Sequence, residues 1–348
     1  MPQRGPGCNN SPVGTRMTTQ QQFLDFLWEI EPSTSTVAAC SSAHNTLREA
    51  LRTDENFSKL HVETFLSGSY KRDTAIRPQK IDGVLQRPDV DIIVVTNHTK
   101  DDDPHDVLDA LHQALVDAGY ANLKVNRRSI AVTLAGVDMD VVPVIENGDA
   151  YLIPDIELKD WLPTNPPAHT QWTVDVNREA AGRFKPLVKL VKWWRRYHLS
   201  AMRRPKGFIL ECLVAKHMSY SQANYETLFV EVLEAIRDTY AIYVALGQVP
   251  FLEDPGVPGS NVFSNVTFDE FKTFYDKVKE HSALARKAKD ETDEDEALKQ
   301  WRSILGQRFP AAAGASKAFA SSLLRPAVGA GLTFPATPVL PNKHAGFA

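Results

Sequence analysis

Apolar residues recur along this chain with two different periods, and the change between them divides it. Phe23, Phe26, Leu27 and Ile30 fall at i, i+3, i+4 and i+7 behind the cap candidates Thr18 and Thr19, which predicts an amphipathic helix. After Glu31-Pro32-Ser33, an Ala-, Ser- and Leu-rich stretch from about 35 to 52 predicts a second helix, whose small side chains suit close packing along a core. The period then shortens. Residues 61–66 read as a strand, Ser67-Gly68-Ser69 as a turn, and a polar segment follows to Gln86. Residues 91–96 (DIIVVT) are a β-branched run that predicts a buried strand, 104–118 an amphipathic helix, and 125–134 and 137–145 two more strands. The proline-rich stretch 147–177 reads as an ordered but irregular connection. From 178 onward the pattern is helical, over about 179–199, 207–219, 226–244, 267–288 and 294–305. The charge-dense run KAKDETDEDE at 287–296 reads as a solvated helix end and loop, and no internal repeat is evident. The outline is α+β: a mixed sheet with helices first, a helical lobe second.

Composition sharpens this outline only in places. At 348 residues, with 43% hydrophobic and 24% charged residues, the chain has the size of two domains or one bilobal unit able to bury a core. The net charge is −4, so any polyanion site must be a local patch. Cys8, Cys40 and Cys212 are scattered without CxxC or Cys/His ligand spacing, which argues against a disulfide framework or structural zinc and suits the cytoplasm. No apolar run approaches the ~20 residues that cross a bilayer, and no membrane association is expected. The first sixteen residues lack an apolar signal core and are set apart from the fold. The Ala-, Gly- and Pro-rich end reads as a flexible tail. The expected division is a disordered extension at 1–16, a catalytic core with an N-terminal spine helix at 17–165, a helical lobe at 166–310, and the tail at 311–348.

Candidate chemistry centres on carboxylates. In PDVDIIVV, Asp89 and Asp91 stand at the mouth of an apolar strand, two residues apart and so on one face. In VDMDVVPVI, Asp138 and Asp140 repeat the arrangement, with Val137, Met139 and Val141 on the opposite face. Carboxylates gathered from two strands repel unless a cation neutralises them. Oxygen-only ligands suit Mg²⁺ or Mn²⁺, and two such ions can activate an attacking hydroxyl and stabilise a leaving pyrophosphate. About twenty residues earlier, Gly68-Ser69 follows a strand and can bring backbone N–H groups and a hydroxyl to phosphate oxygens. Between Arg183 and Lys206 lie nine Lys or Arg and no acid, with Lys185, Lys189, Lys192 and Arg196 on one helical face. That stripe points to a polyanion, either a triphosphate or a nucleic acid.

The order strand, Gly-Ser turn, [DE]x[DE], strand, later acidic residue resembles the DNA polymerase beta-like nucleotidyltransferase superfamily. Within it, SGSYKRDTAI, PDVDIIVV, DVVPV, KPLVKLVKWW and PKGFILE look like the cyclic GMP-AMP synthase and oligoadenylate synthase branch, whose bacterial members are the CD-NTases. The resemblance spans about 18–310 and implies a bilobal nucleotidyltransferase with a mixed-sheet catalytic core and a C-terminal helical lobe. It implies that Asp89, Asp91 and Asp140 hold two Mg²⁺ ions (or Mn²⁺) and that Gly68 and Ser69 bind nucleotide. By motif position, Lys192, or Lys189 beside it, reaches the donor phosphates and Phe208 stacks on the base. Where many members carry a serine before that aromatic, this chain has Gly207, without the hydroxyl for one phosphate hydrogen bond.

The implied activity is synthesis of cyclic di- or trinucleotide messengers in anti-phage (CBASS) signalling, from ATP with GTP or a pyrimidine nucleotide as possible co-substrates. A monomer with no obligatory nucleic acid is expected, since nothing matches the zinc insert of the eukaryotic DNA sensor. An E1/E2-like defence-operon regulator acting on the tail ending Gly346-Phe347-Ala348 is a further expectation. The alternatives are a template-independent RNA 3′-end nucleotidyltransferase and an inert nucleotide-binding module. The histidines show no ligand spacing, and Trp193, Trp194 and Trp301 read as core anchors.

Overall fold

A computed structural model describes residues 18–81, 84–202 and 204–311. The extension 1–16 and, apart from Ala311, the tail lie outside the described residues. Two helices open the chain, α1 (Thr18–Ile30) and α2 (Thr34–Thr53), the second capped by Ser33, whose hydroxyl accepts from Thr36 N–H. Then come β1 (His61–Leu66), a single helical turn α3 (Gly68–Lys71), a small hairpin of β2 (Lys80–Ile81) and β3 (Val84–Leu85), β4 (Asp89–Thr96), and α4 (Pro104–Asp117). The sheet is completed by β5 (Leu123–Val125), β6 (Ile130–Thr133), β7 (Asp138–Asn147), β8 (Ala150–Asp155) and β9 (Asp160–Thr164). The second half holds α5 (Pro166–Glu179), α6 (Phe184–His198), α7 (Gly207–His217), α8 (Tyr225–Ala245), the hairpin β10 (Glu253–Asp254) and β11 (Val257–Asn261), α9 (Phe268–Asp290) and α10 (Glu294–Leu305).

The main sheet runs β1-β4-β7-β6-β5, with β8 and β9 continuing from the far end of β7. Among the described residues only β4 and β7 pair in parallel; the other neighbours in this sheet are antiparallel. Alternation sends Val90, Ile92 and Val94 of β4, with Met139 and Val141 of β7, into one core beneath α2 and α4. Ile93, Val95, Val142 and Val144 form a smaller apolar patch on the other face, the face that carries the aspartates at the strand mouths. A separate, larger core joins α5 to α10. Phe23, Phe26, Leu27 and Ile30 of α1 belong to it, and Phe23 packs edge-on against Trp301 and Phe309. Trp193, Trp194 and Trp301 are fully buried there.

Several local expectations change. The stretch 147–177 is not irregular: it forms β8, β9 and α5. Its prolines occupy tolerated places, Pro163 on the outer strand β9 and Pro166 in the first turn of α5. Of the 125–134 run only Ile130–Thr133 extends as β6; Val125 ends the preceding β5, and the two are separated by a turn in which Asn126 N–H donates to the Ser129 carbonyl. The Gly-Ser turn coils into α3. The helix expected from 179 begins at Phe184, because Ala181 and Gly182 take left-handed backbone that ends α5 first. Along α2 only Cys40, Leu47 and Leu51 are fully buried, so its small residues mostly face outward.

Candidate active site

The centre is set by backbone register. Parallel pairing of β4 with β7 puts Asp89 opposite Asp138 and Asp91 opposite Asp140, so both acidic pairs meet across one strand spacing of about 4.8 Å. Asp89, Asp138 and Asp140, with Asn126, Ala131 and Thr133, line a cavity of ≈360 Å³. The four acids are not equivalent. Arg87 Nε lies 3.2 Å from Asp138 Oδ1, so that charge already has a counter-ion. Asp138 Oδ1 and Asp140 Oδ1 are both buried without a hydrogen-bond partner among the described residues, and of the two only Asp138 stands in an ion pair there.

The turn is built against the same acids. Ser67 N–H donates to the Asp91 carbonyl at 2.8 Å, which places α3 over the strand mouth. Gly68 has φ +66°, and a Cβ there would stand 1.6 Å from Asp91 Oδ2, so no other residue fits without moving the carboxylate. The structure therefore brings Gly68, Ser69, Asp89, Asp91 and Asp140 together.

Electrostatics at the mouth are strained. Loss of surrounding water, and then the carboxylates of Asp91, Asp140 and Asp138, push Asp89 up to about 7, with Lys206 opposing. Burial and the Asp140 carboxylate raise Asp91 as well, against the pull of Arg72, Lys206 and Lys192. Like charges held this close call for a cation.

Among the described residues no three His, Cys, Asp or Glu side chains already converge as a closed metal cage. Mg²⁺ does not need one, because it keeps waters and takes further oxygens from substrate phosphates. The unpartnered Asp140 oxygen and the all-oxygen donor set fit such an ion.

The basic face of α6 is placed differently from an open stripe. Lys189 is buried and donates to both Glu31 carboxylate oxygens at 2.8 Å and to Asp73 at 3.1 Å. Lys192 is buried and donates to the Thr74 carbonyl (3.1 Å), the Thr74 hydroxyl (3.0 Å) and Glu211 Oε1 (2.8 Å). Glu211 also accepts two hydrogen bonds from Arg72 and one from the Thr74 hydroxyl. Burial opposes ionisation of Glu211, but Lys192 and Arg72 outweigh it and hold the carboxyl at about 2. These contacts tie α6 and α7 to the segment that follows the Gly-Ser turn.

Phe208, at the start of α7, carries the Arg72 guanidinium 5.0 Å over its ring and touches His169 and Trp172. His169 is fixed by Asp254 at 2.6 Å. Glu211 has no spacing motif, yet one signal was available: it is the lone acid in the apolar run GFILECLVA, and a charge on a buried helix face demands partners.

Three comparisons with known proteins bear on this arrangement. Residues 17–177 match the family model described as Second Messenger Oligonucleotide or Dinucleotide Synthetase domain. An Acinetobacter sp. protein named cyclic AMP-AMP-AMP synthase is 66% identical over 337 residues, covering 95% of this chain and 98% of that one. An Enterobacter hormaechei cyclic AMP-AMP-GMP synthase is 28% identical, covering 95% and 100%. The fold is shared with a Bradyrhizobium diazoefficiens CD-NTase solved with GTP, at 14% identity and a TM-score of 0.68 over 86% of this chain and 96% of that one. Identity sustained along nearly the whole of both chains, on the fold that the acidic register and the Gly-Ser turn require, means that the chain belongs to the bacterial CD-NTases, divalent-metal-dependent nucleotidyltransferases that make cyclic oligonucleotide second messengers from nucleoside triphosphates.

Proposed function

We propose that this enzyme joins three ATP molecules into cyclic AMP-AMP-AMP, with Asp89, Asp91 and Asp140 as its catalytic carboxylates. The observation that carries the assignment of the centre is the parallel register that sets Asp91 beside Asp140 under Gly68. The choice of product rests on the 66% identity to the Acinetobacter synthase. Two Mg²⁺ ions, with Mn²⁺ as a substitute, would be held by the three aspartates and would neutralise the triphosphate and the developing charge on pyrophosphate.

The chain's own groups do the positioning. The Gly68 and Ser69 backbone N–H groups and the Ser69 hydroxyl hold donor phosphate oxygens. Phe208, held by Arg72, His169 and Trp172, is the aromatic that would pack against the donor base. Asp140, on the acceptor side, takes the proton of the attacking ribose hydroxyl. That oxygen bonds to the donor α-phosphorus in line as the bond to pyrophosphate breaks; a second such step makes a linear trimer, which re-enters and closes by a third, one pyrophosphate leaving each time.

The test is incubation of the purified protein with ATP and MgCl₂, followed by mass spectrometry. A cyclic triadenylate is expected from the wild type and at least a hundredfold less from Asp89→Asn or Asp140→Asn protein that melts no lower than the wild type. Full turnover in either variant would overturn the site; a different cyclic product would overturn only the product.

A further inference from the structure

The cavity beside the catalytic carboxylates lies to one side of them. The Gly-Ser turn stands over Asp91 from the β1 side of β4, whereas the cavity opens on the β6 side of β7, at Asp138 and Asp140. In-line displacement sets the attacking hydroxyl opposite the leaving pyrophosphate, so a donor held at Gly68 leaves this cavity to the acceptor. Its ≈360 Å³ is near the small end of the roughly 300–1,000 Å³ of ligand pockets, room for one nucleotide.

Strand register decides what the cavity wall presents. Leu123, Ile130 and Val132 pack into the core beneath α2 and α4, which turns Ala131, Thr133 and Asn126 to the face of the aspartates. Ala131 has no polar side-chain atom, and Thr133 pairs with Asp138 at the reacting end. Asn126 stands two strands across and two residues along from Asp140, about 12 Å away. A nucleoside fills such a span between its ribose hydroxyl and the amino edge of its base.

Asn126 combines an unengaged side chain with a fixed backbone. Its amide group has no hydrogen-bond partner among the described residues. Its own N–H donates to the Ser129 carbonyl at 2.8 Å, and the next carbonyl, that of Arg127, accepts from Ile156 N–H at 3.2 Å. Asp155 is wholly buried and accepts from Arg127 Nε at 2.6 Å, from Arg128 Nε at 2.7 Å, and from the N–H groups of Glu157 and Leu158. The β5–β6 turn is thereby fastened to the turn between β8 and β9.

We propose that Asn126 reads the base of the acceptor nucleotide, its amide oxygen accepting from the adenine N6 amino group and its NH₂ donating to N7, with Arg127, Arg128 and Asp155 as positioning residues that hold the turn. This deepens the active site proposed above and rests on it. Guanine presents two acceptors, O6 and N7, along the same edge, so either orientation of the amide sets its oxygen against one of them. A two-bond contact of this kind discriminates roughly tenfold to a hundredfold between bases.

The experiment incubates full-length protein with ATP, MgCl₂ and an equimolar mixture of AMP and GMP. The monophosphates lack a pyrophosphate leaving group, so they can only accept, and each one extended gives a dinucleotide, pApA or pGpA, and one pyrophosphate. Mass spectrometry reads the ratio of the two. The wild type is expected to favour pApA. Asn126→Ala should lower the ratio roughly tenfold to a hundredfold at an unchanged melting temperature, and Asn126→Gln, which keeps the amide, should retain most of the preference. Arg128→Ala should lower the ratio too. A wild-type ratio in Asn126→Ala overturns the proposal, as does wild-type protein that makes no pApA or as much pGpA as pApA. An unchanged ratio in Arg128→Ala overturns the part given to the clamp. The catalytic assignment is judged separately on Asp140→Asn: dinucleotide made at the wild-type rate would sink the centre whatever the ratio.

Discussion

Replacing Glu211 with glutamine would remove one charge while keeping the shape of the side chain. Glu211 has no solvent exposure, and it accepts from Arg72, Thr74 and Lys192. Without its charge, two buried cations lose the only anionic hydrogen-bond partner that they have among the described residues. Breaking one side of a buried pair costs about 3–5 kcal/mol, because the remaining charge stays desolvated. Unfolding some 290 ordered residues at about 2.1 cal/mol/K each gives an entropy near 0.6 kcal/mol/K, so the melting temperature should fall by about 5–8 °C. The pH dependence follows from the depressed carboxyl. The folded value of about 2 lies below the model value of 4.5, so the stabilisation is fully present above 4.5 and is lost as pH falls towards 2. The gap between wild type and Glu211→Gln should therefore be constant from pH 6 to 8 and shrink below 4.5. Differential scanning fluorimetry across that range is sufficient. Adding Lys192→Met should recover part of the loss. A Glu211→Gln protein melting within about 1 °C of wild type at pH 7 would refute the argument, since a cost that small means Arg72 and Lys192 are not held desolvated.

Asp89 should act in the opposite sense. Its folded value of about 7 exceeds the ordinary 3.8, so the folded form holds the proton more tightly and stability falls as pH rises from about 4 to 7. Fluorimetry should show Asp89→Asn flattening that slope, MgCl₂ raising the wild-type melting temperature more at pH 8 than at pH 5, and kinetics a loss of roughly 10²–10³-fold or more in turnover. Gly68→Ala must accept both a left-handed φ and a 1.6 Å collision with Asp91 Oδ2. It should lose about 1–3 kcal/mol of stability and most activity, and an active, stable Gly68→Ala enzyme would show that the turn does not abut Asp91 as described.

The parts legible in the sequence are those where a short window carries the physics. β-branched runs with paired acids at their mouths carry a strong local strand signal, so the place of Asp89, Asp91 and Asp140 at strand mouths could be read, and that of Gly68 in the turn after β1. The register between β4 and β7 could not, because it depends on a crossover of more than forty residues. The fate of the α6 lysines was hidden for a related reason. A cationic stripe looks solvated until its partners are known, and Glu31, Asp73 and Glu211 come from distant parts of the chain. Prolines misled in 147–177 because an outer strand and the first turn of a helix tolerate them as readily as a loop does.

The parallel pairing of β4 with β7 also sets when the enzyme becomes an enzyme. Neither strand holds the full acidic set, and antiparallel β1 must dock on β4 before Gly68 can reach Asp91. Contacts so far apart in the chain form slowly compared with helices, and a one-residue slip in β4 would turn its acids away from those of β7. During refolding, helical signal should thus return well before activity, with no half-active species between them. Turnover would then report the fraction of chains whose sheet is in register.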